Sequence, residues 1–255
     1  GLARILEVIE KTITSILYFF RLVFTEGLVD YIRKKDKLPK KSQLIIMANG
    51  PSLKDFLEES SQNLSKYENV DFMAINDFST SPMFEVLRPK YYVLSDSKYF
   101  MNTILFDKSI QSLQALNEKT SWDMNLYIPY KRVKQFKEFY KITNSHINII
   151  PFHSIRFWGL EFVRKYVYKW GLGNGEFGTV ILNAIYIAIV AGYKQCYLYG
   201  MDHTFFDGLH VNNNNELCYI YKHFDNPEPI VKPMLSHHNG ENLPFHMQDF
   251  LVEKL

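Results

Sequence analysis

From Gln43 onward the sequence alternates short, continuous apolar runs with longer stretches of helical periodicity, which leaves few architectures open. Six runs read as strands: residues 44–48, 72–75, 91–94, 126–128, 147–150 and 196–199. Most lack the polar-out alternation of a half-exposed strand, as expected where helices cover both faces of a parallel sheet. Between them, residues 54–66 and 133–140 carry helical patterns, and 179–191 carries the longest, stopped by Gly192. The expectation is an α/β fold: a doubly wound, mostly parallel Rossmann-like sheet with an N-terminal amphipathic helix and a C-terminal lid region. In such sheets, ligands sit outside the carboxyl ends of the strands.

With 255 residues, one main domain is expected. Residues 1–41 read as the amphipathic helix and a basic linker, 42–204 as the α/β domain and 205–255 as the lid, in which 205–241, rich in Asn, His, Pro and Gly, reads as a long mobile loop or lid. In the helix, Leu2, Ile5, Leu6, Ile9, Ile13, Ile16, Leu17 and Phe20 recur at helical spacing, while Arg4, Glu7, Glu10 and Lys11 fall elsewhere around it. Its longest uncharged stretch, 12–20, is too short to span a bilayer, and no signal-peptide pattern accompanies it. The basic run "YIRKKDKLPKK" follows. Two readings stay open: a peripheral anchor on an anionic membrane surface, or a helix packed on its own domain, a second copy or another partner.

The net charge of +2 is too small for the basic field that nucleic-acid binding requires, so no nucleic-acid partner is expected. Two cysteines, Cys196 and Cys218, make no disulfide framework, and a cytoplasmic setting is the natural expectation. Aromatic residues reach 16%, which favours a sugar or nucleotide surface only weakly because aromatics also fill cores.

The chemistry lies at the strand ends. Asn49 and Gly50 follow the first run, and Pro51, Ser52 and Leu53 lead into a helix. Gly50 permits close approach of a ligand, Ser52 is placed to cap the helix, and the helix N-terminus offers N–H groups to an anion. Asn76 and Asp77 follow the second run; Ser95, Asp96 and Ser97 follow the third. Each is a turn cap on its own, but in an α/β sheet the three tips line one crevice. Asp202 and His203 follow the sixth run, where a carboxylate can orient an imidazole that takes a proton from a hydroxyl. His210, His223, His237, His238 and His246 gather in the last quarter of the chain. Asp202 and Asp207 are spaced to share a divalent ion with a diphosphate, but no D-x-D is present and no metal is expected. G-x-S-x-G, H-E-x-x-H and C-x-x-C are all missing, against common hydrolases, zincins and thiol redox enzymes.

"IIMANGPSL" together with "GTVILNAIYIAIVAGYKQCYLYGMD" resembles the bacterial sialyltransferases of glycosyltransferase family 42. The same segments look like the related motility-associated flagellin glycosyltransferases and the archaeal pterin pyrophosphokinases. The resemblance implies that Asn49 and Asn76 contact a CMP-activated donor, with Asp96 standing where the family has Asn. Thr179 falls on the Thr beside a donor-binding Ser, which is Val180 here. His203 and Thr204 stand where the family has a pair of tyrosines after the Gly-x-Asp strand end. The family's general base is a His in a C-terminal loop; by spacing His238 or His246 matches it, and His203 competes from its strand end. The resemblance also implies an inverting reaction without metal or other cofactor.

The expected activity is transfer of a sugar from a nucleotide-sugar, CMP-sialic acid or a similar CMP-sugar foremost, to a hydroxyl of a bacterial surface glycan. Asn49, Gly50, Ser52, Asn76, Asp96 and Thr179 would hold the donor, and one of His203, His238 and His246 would be the base, with Asp202 orienting it. Lys222 or Tyr219 in the lid would steady the leaving phosphate. A glycan or lipid-linked glycan acceptor suits the amphipathic N-terminus. Alternatives are a UDP-sugar transferase, a pterin-type diphosphokinase, and a noncatalytic scaffold of polysaccharide assembly.

Overall fold

A computed structural model describes residues 1–100, 107–153, 155–173, 179–202, 207–221, 224, 230–238 and 241–244. The six expected strands are all present: β1 (Gln43–Met47), β2 (Val70–Ile75), β3 (Tyr91–Val93), β4 (Met124–Pro129), β5 (Ile147–Phe152) and β6 (Gln195–Tyr199). They form one parallel sheet in the order β5-β4-β3-β2-β1-β6, the α/β doubly wound arrangement expected. Four strands, β2 to β5, add successively on one side of β1, and β6 returns to its other side. The order therefore reverses between β1 and β6, and the sheet's topological switch point lies there.

Right-handed crossovers require that this reversal also change the face on which the connecting helix packs. Helices α3 (Leu53–Gln62), α4 (Met83–Leu87), α5 (Asp107–Lys119) and α6 (Tyr130–Phe139) cover one face. There Leu53, Phe56, Phe84, Leu113 and Phe136 pack on Ile45, Met47, Ala74 and Tyr92. The other face is covered by α2 (Tyr31–Lys35) and α8 (Val180–Ala191), through Ile32, Ile181, Ala184 and Ile187 against Leu44, Ile46, Met73 and Val93. Helix α8 is apolar almost throughout because most of its circumference is buried. Gly192 ends it at φ 97°, a left-handed conformation that glycine adopts without penalty.

The linker 36–41 is fastened beneath the sheet. Asp36 accepts from Asn125 Nδ2 at 2.8 Å, and Asp71 on β2 accepts from the Lys41 N–H at 2.8 Å, with Tyr193 and Lys90 also on its carboxylate. Buried carboxylates persist only with such partners.

Helix α1 (Leu2–Thr25) packs through Ser15, Tyr18 and Leu22 on α7 (Glu161–Lys169) and the segment before it. The Tyr18 hydroxyl donates to Leu172 O at 2.7 Å, and the Leu160 N–H donates to Ser15 Oγ at 3.0 Å. Behind α1, His153 is fully buried, with its ring nitrogens 2.9 Å from Glu26 Oε2 and 2.8 Å from Val29 O.

The C-terminal region differs from the expected long loop. Strands β7 (His210–Val211), β8 (Leu217–Tyr221) and β9 (Ile230–Pro233) form an antiparallel sheet, and β10 (Leu235–His238) pairs with β11 (Glu241–Pro244). The reason is local. Asn212 Oδ1 accepts from the N–H groups of Asn214 and Glu216, closing a turn, and the β-favouring run "LCYIY" then pairs on both sides. Among the described residues, no helix is long and apolar enough to cross a membrane.

Candidate functional site

The segments following β1, β2 and β3 emerge side by side, because these three strands are parallel neighbours with Met47 opposite Ala74 and Ile75 opposite Val93. The expected convergence of Asn49, Asn76 and Asp96 on one edge of the sheet is therefore present. Helix α8 brings its first turn to the same edge: Asn183 Nδ2 donates to Ser95 Oγ, just beyond β3, at 3.1 Å. Thr179, the residue before α8, is thus placed above the strand ends with the helix N-terminus.

Three side chains here share an unusual property. Asn49 Oδ1, Asn76 Oδ1 and Thr179 Oγ1 are buried from solvent, yet have no hydrogen-bond partner among the described residues. A buried polar atom left unsatisfied costs about 1–3 kcal/mol. Thr179 occupies the N-cap position of α8 without a side-chain cap bond, although capping is what a threonine there usually does. Tyr127, on β4, and Ser109, one turn before Ser112 on α5, carry similar orphan oxygens.

Asn76 is also held at φ 51°, in the left-handed region. Its carbonyl accepts from the Tyr92 hydroxyl and from Ser112 Oγ, and these bonds fix the turn. Non-glycine residues in this region are sparse and cluster where the surrounding structure imposes them. Burial pushes the Tyr92 phenol well above its ordinary range, so it stays a donor.

Gly50 and Ser52 sit at the switch point. The Gly50 N–H donates to Gly200 O at 2.8 Å, continuing the β1–β6 pairing beyond both strands. A Cβ at Gly50 would lie 2.0 Å from Asp202 Oδ2 and 2.5 Å from Gly200 O, so glycine is required for this approach. The expected Ser52 cap is corrected: its side chain makes no cap bond, and its backbone N–H donates instead to Asp202 Oδ2 at 3.2 Å. Ser52 is helical rather than extended, at φ −65° and ψ −11°, and the Lys54 N–H that its hydroxyl would meet donates to Pro51 O at 3.1 Å, while the Asp202 carboxylate supplies the negative charge at the positive end of α3. Asp202 therefore serves the N-terminus of α3. His203, which it was expected to orient, lies outside the described residues, as do His223, His246 and Lys222.

Asp96 is engaged in its own turn, accepting from the Lys98 N–H at 3.2 Å. Asp77 is buried and bonded to Lys98 Nζ at 2.6 Å and to the Tyr99 hydroxyl, whose burial, with the Asp77 carboxylate beside it, keeps it protonated. His238 lies on β10 opposite Glu241. Nothing in the local pattern singles out Phe224, whose N–H donates to Asn49 O at 3.1 Å and whose ring lies 6.2 Å from that of Phe78. Phe224 thus lies over the ends of β1 and β2.

A hollow of about 430 Å³ adjoins the switch point between α3 and the end of β6, lined by Ser52, Asp55, Phe56, Glu59 and Tyr199 among others. Its two carboxylates, Asp55 and Glu59, make it a poor seat for an anion. Among the described residues, no cluster of three or more His, Cys, Asp or Glu gathers as a metal site. Comparison with protein-family models and with curated protein sequences finds no match.

Proposed function

We propose that this chain is a glycosyltransferase that binds a nucleotide-sugar across the carboxyl ends of β1, β2 and β3 and transfers the sugar, with inversion, to a glycan hydroxyl. One observation carries the reading: the buried, unpartnered oxygens of Asn49, Asn76 and Thr179 at one edge of the sheet. Two are amide acceptors, matching ribose hydroxyls and the exocyclic amino group of a base such as cytosine. The N-terminus of α8 is a favourable seat for a phosphate. CMP-sialic acid or a related CMP-sugar fits this set, in line with the family resemblance of the same residues.

In the proposed reaction, a histidine takes the proton of the acceptor hydroxyl as its oxygen bonds to the anomeric carbon. The bond from that carbon to the donor phosphate breaks, and the nucleotide leaves with the electron pair. His203, His238 and His246 are the candidates for this base. The proposed setting is the cytoplasm, at the inner face of the membrane, with a lipid-linked or surface glycan as acceptor.

Thermal unfolding with CMP, UDP, GDP and their sugars tests the reading. A nucleotide at one hundred times its Kd stabilises by about 2.7 kcal/mol. CMP is expected to raise Tm, and Asn49→Ala to abolish that rise. Stabilisation only by a UDP-sugar would replace the donor, and stabilisation only by ATP with magnesium would favour a diphosphokinase. No stabilisation by any nucleotide would leave a scaffold as the better reading.

A further inference from the structure

The apolar stripe of α1 faces away from the body of the protein. Ser15, Tyr18 and Leu22 are its buried residues. Leu2, Ile5, Leu6, Ile9, Ile13, Ile16, Leu17, Phe20 and Phe24 are each at least half exposed. At about 100° per residue, the centre of this stripe lies roughly opposite the buried side. Arg4, Glu7 and Lys11 fall on the same side of the helix as Ser15, Tyr18 and Leu22, and are themselves exposed. A helix recruited only to complete its own core would be turned the other way round.

The elements that hold α1 extend the same character. On α7, which α1 packs against, Phe162 and Tyr166 are exposed, and Trp170, its C-cap residue, follows at the next four-residue step. Helix α2 joins α7 through Arg33, which donates to Lys169 O at 2.8 Å. Arg33, Lys34, Lys35 and Lys37 are exposed, as are Arg164, Lys165 and Lys169. Residues 1–41 and 155–173 carry 13 of the 29 lysines and arginines but only 6 of the 27 acidic residues. The positive charge is thus collected on these three helices and their flanks, while the rest of the chain is net negative.

We propose that α1, α2 and α7 form a docking surface for an anionic lipid bilayer, with α1 lying in the plane of the interface. An exposed apolar stripe about 36 Å long, exposed aromatic side chains on the neighbouring helix and a surplus of Lys and Arg are what such a surface requires. Charge complementarity selects the lipid over a second copy of the chain, since two copies meeting on this face would bring like charge together. The surface shares no residue with the strand-end crevice, so failure of either reading leaves the other standing.

Vesicle flotation of the full chain tests the proposal. Binding is expected to phosphatidylglycerol-rich vesicles, weakly to phosphatidylcholine alone, and to decline with added salt. Tryptophan emission should shift to the blue on binding. The double variant Leu17→Glu/Phe20→Glu, with circular dichroism unchanged because both sites are exposed, should lose at least about tenfold in vesicle affinity. Lys34→Glu/Lys35→Glu should weaken binding to anionic vesicles without altering the oligomeric state. The proposal is overturned if the chain ignores anionic vesicles. It is equally overturned if light scattering shows a dimer that Leu17→Glu/Phe20→Glu dissociates while vesicle binding persists.

Discussion

The carboxylate of Asp202, beyond the last central strand, accepts the backbone N–H of Ser52 at 3.2 Å and thereby caps the helix that follows the first. One contact closes the switch point and places a negative charge where an incoming anion would otherwise sit. Asp202→Asn keeps an acceptor but removes the charge, and is expected to cost about 0.5–1 kcal/mol; Asp202→Ala, which loses both, about 1–2 kcal/mol. Urea unfolding measures both. If Asp202 acts only by orienting a histidine, activity would fall with stability unchanged, which separates the two roles.

Gly50→Ala drives a methyl into the Asp202 carboxylate and the Gly200 carbonyl. The expected loss is about 1–3 kcal/mol, the range for overpacking a close contact. Because the displaced groups carry the turn after β1, any nucleotide-induced rise in Tm should shrink as well.

Asn76→Gly dissociates strain from binding. Glycine adopts φ 51° freely, so stability should change by no more than about 1 kcal/mol and in the favourable direction if the strain is appreciable. The amide oxygen is lost, however, and nucleotide affinity should fall about tenfold, one hydrogen bond's worth of roughly 1.4 kcal/mol. Calorimetric titration beside urea unfolding reads both quantities; unchanged affinity would remove Asn76 from the donor site.

His153→Ala withdraws an imidazole from the buried carboxylate of Glu26 and from the Val29 carbonyl. Leaving buried hydrogen-bonding groups unmet in this way costs about 1–3 kcal/mol. Since the pair anchors the turn after α1, hydrogen exchange should rise there first, ahead of the central strands.

Alkaline titration carries a sign set by the buried phenols. Burial raises Tyr18, Tyr91, Tyr92 and Tyr186 above their ordinary range, and burial with the Tyr130 contact pushes Tyr31 up to about 12. The folded state thus holds these protons more tightly than the unfolded chain. Their contribution to stability is complete below pH about 10, the value for a free phenol, and is lost as pH rises through the folded values. Phenolate absorbance should show exposed tyrosines titrating first and the buried set ionising together with loss of circular dichroism.

The sheet was legible because strands buried on both faces are written as unbroken apolar runs. Where that rule lapsed, so did the reading. Asp71 interrupts the apolar run and hid the first two residues of β2, although Lys41, Tyr193 and Lys90 satisfy its carboxylate in the fold. The C-terminal strands are short and set among Asn, His and Pro, so composition spoke for a loop while pairing made a sheet. Ser52 had the local chemistry of a cap, yet the acceptor comes from 150 residues away, a distance across which local pattern carries no information. Asn49, Asn76 and Thr179 were legible as residue types at strand and helix ends; that their oxygens lack partners is a property only of the assembled crevice.

The order in which the strands join has a consequence for synthesis. Everything from β1 through β5 can pair progressively as it leaves the ribosome, each strand beside its predecessor. The carboxylate that completes the first βα turn arrives only when β6 slips in along the far flank of β1. A nascent chain that stops short of residue 202 therefore has most of its sheet but an open first turn, and competence at this edge is withheld until the last central strand has been made.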